Sequence, residues 1–340
     1  MAEPDYRAYA AAGIAALQQW YRPWRGLWAT TGWWNAANAL TAVIGYTQQT
    51  GDRTYAGVIE KTFKRARRQH WGFINRFYDD NAWWALAWVA AYDLTRDGRY
   101  LEAAQSIFDR MTAGWDDTCG GGLWWNEDRA YKNAITNELF LTLAARLHQR
   151  TPDTDGSYLA WALREWEWLR ASGMIGTSGL VHDGLSAACE NNGGTTWTYN
   201  QGVILGGLAA LYEITGDRGY LEQGESIAGA ALAQLASPPS ASPPGILTEP
   251  GEATAPLNGD QTQFKGIFVR HLRDLYRQSH RPAYRAFILA NARSLWDNAR
   301  NADDQFGLRW GGPFDQADAS RQSSALDALN AAAALAADQT

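Results

Sequence analysis

The chain has 340 residues, 46% hydrophobic and 19% charged, with a net charge of −6 at pH 7, which places it among globular proteins and excludes a disordered one. Its basic and acidic residues read as scattered, without a nucleic-acid groove or a polybasic membrane patch. The longest apolar runs are far shorter than the roughly 20 residues needed to cross a bilayer.

Taken in chain order, residues 5–20 carry a helical pattern, and no basic segment followed by an apolar one precedes it. No signal peptide is read, so the expected location is cytoplasmic, or the cell envelope or exterior if a leader has been trimmed. A repeated unit follows: an apolar helix rich in small residues, a turn bearing Gly, Asp or Pro and leading to Tyr, then a more charged helix. The apolar helices are expected at 36–49, 81–94, 133–149, 200–214 and 261–278. Their turns lead to Tyr55, Tyr100, Tyr158, Tyr220 and, more weakly, Tyr284. Charged partners such as 99–112 and 158–171 repeat apolar residues at three and four. A last helix at 320–337 brings the total to about twelve, and no alternating strand pattern competes.

Helices that are apolar nearly all round belong inside, with the amphipathic ones covering them. Connections within each pair are short. Those between pairs (21–35, 69–80, 115–132, 173–199, 236–260 and 301–319) are long. Six long loops at one end of a closed ring build one cleft, so the predicted fold is an all-α (α/α)6 barrel, a six-hairpin toroid. The last helix pairs with the first. The Pro/Ser-rich stretch 237–245 reads as a loop excursion, because the repeat continues past it, and residues 1–340 as a single domain.

The 18 Trp, 15 Tyr and 10 Phe either fill a core or present flat faces to a ligand. Trp24, Trp28, Trp33, Trp34, Trp71, Trp124, Trp125, Trp197 and Trp310 lie in or beside the long loops, where packing does not require them. As a set they suit a carbohydrate cleft; taken singly, each equally suits a plug at a loop base. Asp79-Asp80 sits where a long loop meets an inner helix. Adjacent residues at a helix start diverge by about a quarter turn, so both carboxylates can reach the 5–5.5 Å spacing that retaining glycosidases use. The competing reading is a helix N-cap.

Asp116-Asp117 and Asp303-Asp304 read as solvated caps and turns. Gly120 to Gly122 reads as a tight loop. The five histidines, His70, His148, His182, His271 and His280, lack metal-ligand spacing and read as surface or loop residues. No metal or organic cofactor is expected.

The segments Tyr78-Asp-Asp-Asn-Ala-Trp-Trp84, Asp117-Thr-Cys-Gly-Gly-Gly-Leu-Trp-Trp125, Lys132-Asn-Ala-Ile-Thr-Asn-Glu-Leu-Phe140, Leu180-Val-His-Asp-Gly184, Trp197-Thr-Tyr-Asn-Gln-Gly202 and Gln263-Phe-Lys-Gly-Ile-Phe-Val-Arg270 together resemble glycoside hydrolase family 76, the endo-α-1,6-mannanases and their fungal wall-remodelling relatives. The resemblance implies retaining cleavage of α-1,6-mannan by double displacement, with Asp79 as nucleophile and Asp80 as general acid/base. It places Asp183 in the −1 subsite, with His182 where tyrosine is common. It makes Trp124, Trp125, Asn137, Trp197, Tyr199 and Phe264 cleft lining. It also implies a disulfide between Cys119 and Cys189. The expected partner is α-mannan or a manno-oligosaccharide, with no nucleic acid or membrane, and the chain is read as a monomer. Two alternatives remain open from sequence: a transglycosylase using the same site, and a non-catalytic carbohydrate-binding barrel.

Overall fold

The computed structural model describes residues 4–151, 157–237, 244–254, 257 and 259–337. Twelve helices carry the described chain: α1 (Tyr6–Gln18), α2 (Trp33–Thr50), α3 (Gly57–Ala66), α4 (Tyr78–Thr95), α5 (Gly98–Thr112), α6 (Ala134–Arg150), α7 (Ser157–Ala171), α8 (Thr198–Thr215), α9 (Arg218–Gln234), α10 (Phe264–Ser279), α11 (Pro282–Asn298) and α12 (Ala319–Ala337). The even-numbered helices pack in order around a ring, and α12 closes it against α2. The odd-numbered helices lie outside, each against its hairpin partner, with α1 against α12. This is the (α/α)6 barrel expected from the repeat. The core of the Pro/Ser-rich stretch, residues 238–243, and residues 152–156 of the third turn lie outside the described residues.

The repeated Thr-x-Asp turn has a physical cause. Thr50, Thr95 and Thr215 each return a hydroxyl hydrogen bond to the carbonyl four residues earlier and accept one from the amide of Asp52, Asp97 or Asp217. The intervening Gly51, Arg96 and Gly216 adopt the left-handed conformation that ends a helix. Asp97 and Asp217 then cap the next helix by accepting from Arg99 N and Gly219 N. One tripeptide therefore stops an inner helix and starts an outer one.

Long connections gather at the opposite end, at the N-termini of the inner helices. Two contain small antiparallel hairpins that alternation did not reveal, β1 (Tyr21–Arg22) with β2 (Leu27–Trp28) and β3 (Ala236–Ser237) with β4 (Ile246–Leu247). At the short-turn end, a polar cavity of about 540 Å³ lies among the last turns of the inner helices. There Asp93, Asp274 and Asp327 are paired with Arg150, Arg146 and Arg270. His271 of α10 is not a surface or loop residue: it is buried beside Asp274, and burial lowers its pKa to about 4, leaving it neutral.

Close approach of the inner helices depends on glycine. A Cβ at Gly266 of α10 would stand 2.3 Å from Ser324 O and 2.5 Å from Ser324 Cα of α12. Gly→Ala within a helix ordinarily gains up to about 1 kcal/mol in propensity, but here the clash is with backbone that cannot swing aside. Gly266→Ala is expected to lose a net ~1–3 kcal/mol in chemical denaturation; a stabilised variant would contradict this packing.

Cys119 and Cys189 are joined by a disulfide across 70 residues of chain. A loop of that length stabilises by about 4 kcal/mol in the chain-entropy model. Alkylation without reductant is expected to leave the mass unchanged, and Cys119→Ser to lower the melting temperature.

Candidate active site

Asp79 and Asp80 lie in the first turn of α4, one residue inside a start at which Phe77 is the N-cap and provides no side-chain cap. Neither aspartate is spent on capping, so the bland reading of the pair falls. The segment before them is clamped to the helix. Asn75 N donates to Asn81 Oδ1 at 2.7 Å, and Asn81 Nδ2 donates back to Asn75 O at 3.0 Å. Phe77 N donates to Asn75 Oδ1 at 2.8 Å, and the Asn75 amide donates to Asp80 Oδ2 at 2.6 Å.

On the other side the indole of Trp125 donates to Asp79 Oδ2 at 3.0 Å. Its loop is held by Tyr78 N to Trp125 O and Trp125 N to Tyr131 O. Asp79 Oδ1 is buried without a hydrogen-bond partner. No cation pairs with either carboxylate among the described residues. Burial, followed by the charge of Asp80, holds the Asp79 carboxyl well above its ordinary range. Burial also raises Asp80, to about 6, against the lowering effect of Asn75 and with a further push from Asp260. Two such neighbours do not ionise together readily.

The walls come from the other loops. Asp183 lies opposite on the loop before α8; its carbonyl accepts from Ala134 N at the start of α6, and Oδ2 accepts from the Tyr131 hydroxyl at 2.5 Å. Tyr199 stacks on Phe264 with ring centroids 3.7 Å apart, and Trp197 meets Phe264 edge-on at 5.7 Å. The Tyr199 hydroxyl is held well above its ordinary pKa by burial, then by the charges of Asp183 and Asp79, so the three groups share one locality. Trp34 packs on Trp83 and donates to Asp260. The structure thus brings together Asp79, Asp80, Asp183, Trp125, Trp197, Tyr199 and Phe264.

Other expected residues make structural contacts. Asn137 is fully buried and does not line the cleft; its amide bonds Leu123 N and O and Asn133 O, pinning the loop. Trp124 donates to Asp116 at 2.7 Å and lies beneath the Lys132 ammonium. Asp116 is no solvated turn residue, since it pairs with Lys132, itself 2% exposed, at 3.0 Å. Trp28 and Trp310 are buried plugs, the first against Tyr21 and the second under Lys265. His182 is engaged by Gly194 O at 3.0 Å and abuts Gly176. Gly121 and Gly122 take positive φ where any Cβ would strike the Trp168 indole, so the tight loop that the glycine run implies is present.

Sequence reasoning missed Asn75, Tyr131, Asp260 and Glu138. Asn75 and Tyr131 adjoin the motifs, but nothing in their spacing signals a role. Glu138 is fully buried with both oxygens unpartnered, and burial followed by the charge of Asp183 raises its pKa well above the ordinary range. Among the described residues no group of three His, Cys, Asp or Glu is placed to hold a metal ion.

A half-buried, unneutralised carboxyl pair among aromatic rings, at the loop end of a helical barrel, is the arrangement of a glycosidase. The chain belongs to glycosyl hydrolase family 76, whose pattern matches residues 16–340. It is 31% identical over 274 residues to mannan endo-1,6-alpha-mannosidase DCW1 of Candida albicans, covering 71% of this chain and 57% of that protein. It is thus similar to little more than half the length of the curated relatives it matches. The fold matches an inactive variant of the alpha-1,6-mannanase GH76A of Salegentibacter sp., with two consecutive aspartates replaced by alanine, in complex with alpha-1,6-mannotetrose. That similarity has a TM-score of 0.85 at 25% identity, covering 98% of this chain and 100% of the other. The Lin0763 protein of Listeria innocua is similar at a TM-score of 0.85 and 27% identity, covering 98% and 99%.

The raised Asp80 pKa carries a stability cost with a definite sign. A carboxyl whose folded pKa lies above its unfolded value binds its proton more tightly when folded. Its contribution is therefore present at acid pH and is lost as pH rises from about 4 through about 6. Asp80→Asn is expected to be more stable than the parent at pH 7.5. That gap should shrink by ~2 kcal/mol on going to pH 4.5, read by urea titration at both values; a gap independent of pH would refute the shift.

Proposed function

We propose that the protein is a retaining glycoside hydrolase that cleaves the α-1,6-linked mannan backbone by double displacement. The observation that carries this reading is the half-buried Asp79-Asp80 pair, which meets no cation among the described residues and sits in an aromatic cleft. Family membership supports the reaction class. The named activity of the curated relatives and the mannotetrose bound by the inactive GH76A variant support the substrate. The replacement of two consecutive aspartates in that variant supports assigning the chemistry to a consecutive pair.

In this reading Asp79, oriented by the Trp125 indole, attacks the anomeric carbon as the carboxylate. Asp80 protonates the leaving oxygen, then deprotonates the water that releases the sugar. With substrate bound, the positive end of α4 favours the anion on Asp79. Asp183, braced by Tyr131, offers its second oxygen to a sugar hydroxyl, and Tyr199 and Trp197 supply flat faces.

Incubation with α-1,6-mannan is expected to release shorter oligosaccharides whose new reducing ends form first as the α-anomer by NMR. Asp79→Asn and Asp80→Asn should each lose at least about 10³-fold in kcat while still binding mannotetrose. A β-product, or undiminished cleavage by either variant, would overturn the mechanism.

A further inference from the structure

The charge is less evenly spread than the sequence alone suggests. The β1–β2 hairpin and residues 57–71 contain seven of the 30 basic residues but one of the 36 acidic ones, which leaves 23 basic against 35 acidic residues elsewhere. The fold joins these two segments. A Cβ at Gly26 would lie 2.8 Å from Arg65 Cβ, and the Tyr21 hydroxyl meets Thr62 Oγ1 at 3.2 Å. Lys61, Arg65, Arg68 and Arg25 are exposed and make no ion pair among the described residues, whereas Lys64 pairs with Glu60.

The two exposed large apolar side chains of the described protein, Trp24 at 70% and Trp71 at 80%, both belong to this surface. The Arg67 guanidinium lies 5.5 Å from the Trp71 ring centroid. The macrodipole explains some cations at the end of α3. It does not explain Arg22 and Arg25 from another segment, nor the like-charge pairs Lys61–Arg65 and Lys64–Arg68 four residues apart on or just past the helix, which cost a few tenths of a kcal/mol each.

Ring contacts lead from the patch toward the start of α4. His70, next to Trp71, packs on Trp33 at 4.5 Å, and Trp33 packs on Trp84 at 4.7 Å. The neighbouring Trp34 reaches Asp260, whose charge acts on Asp80.

We propose that this rim is a docking surface for phosphate-bearing α-mannan: indoles stack on sugar faces while the arginines and lysines bind phosphate substituents. The proposal rests on the mannan-cleaving reading and names the form of substrate preferred. Two indoles separated by cations, with no other large apolar side chain exposed among the described residues, fit a chain of alternating sugar faces and charges better than a bilayer, which calls for a contiguous apolar face.

The test compares α-1,6-mannan with the same mannan chemically phosphorylated, using the parent and a Lys61→Ser/Arg65→Ser/Arg68→Ser variant. The parent is expected to show an at least fivefold lower KM on the phosphorylated polymer, an advantage abolished by 0.5 M NaCl. The variant should lose that advantage while keeping parental kcat/KM on unmodified mannan. Equal KM values for the two polymers, or a preference that survives in the variant, would overturn the proposal. So would sedimentation with phosphatidylglycerol vesicles without any preference for phosphorylated mannan, which would assign the patch to a membrane surface. If neither polymer is cleaved, the failure is that of the hydrolase reading. Calorimetric titration of phosphorylated mannan into parent and variant then decides the patch by itself: tighter binding by the parent supports it, and equal binding overturns it.

Discussion

Two adjacent carboxyl groups are held half-buried at the start of α4 with no positive charge among the described residues to neutralise them, and much of the cleft is arranged around that constraint. Several acidic groups elsewhere are paired with a cation. Asp116 meets Lys132, Glu252 meets Lys265, and the aspartates of the opposite barrel end meet arginines. The Asp79-Asp80 pair receives neutral donors instead, an amide from Asn75 and an indole from Trp125. Neutral donors fix direction without fixing ionisation, so the pair keeps a proton to exchange. A cation in the same position would stabilise both carboxylates and remove the acid the reaction needs.

The loops around the pair are built from inside. Lys132 donates to Asp116, Thr118 and Gly121, gathering the loop that carries Trp125. Lys265 does the same between Glu252 and Leu308 in the loops near Phe264. Each ammonium replaces a hydrophobic core that a loop is too short to form, and each lies against an indole face, Trp124 or Trp310. Trp310 and one face of Trp124 thus pack against buried cations, while Asn137 serves as a peptide-group mimic beneath the same loop.

The architecture was legible because it is written locally. The Thr-x-Asp turn stops one helix and caps the next through contacts spanning a few residues, and the small, apolar character of the inner helices is visible without knowing their neighbours. The Asp79-Asp80 pair was legible because it sits at a junction between a long loop and such a helix. What escaped depended on contacts across the chain. Nothing near residue 131 indicates that Tyr131 reaches Asp183, or near residue 271 that His271 is buried opposite Gly206. Nothing near residue 25 indicates that Arg25 joins a helix forty residues later. Charge patterns read along a sequence miss patches assembled from separate segments.

Ring closure has a consequence for how the protein comes into being. The inner wall is completed by α12, whose residues 319–335 are all buried against α1, α2, α10 and α11. While the chain is still being synthesised, five hairpins and the first helix must wait with one seam open, exposing the apolar flanks that α12 will cover. Completion of the cleft therefore arrives late and all at once, and a ribosome that stalls before α12 is made leaves a sticky, open horseshoe rather than a loosened barrel.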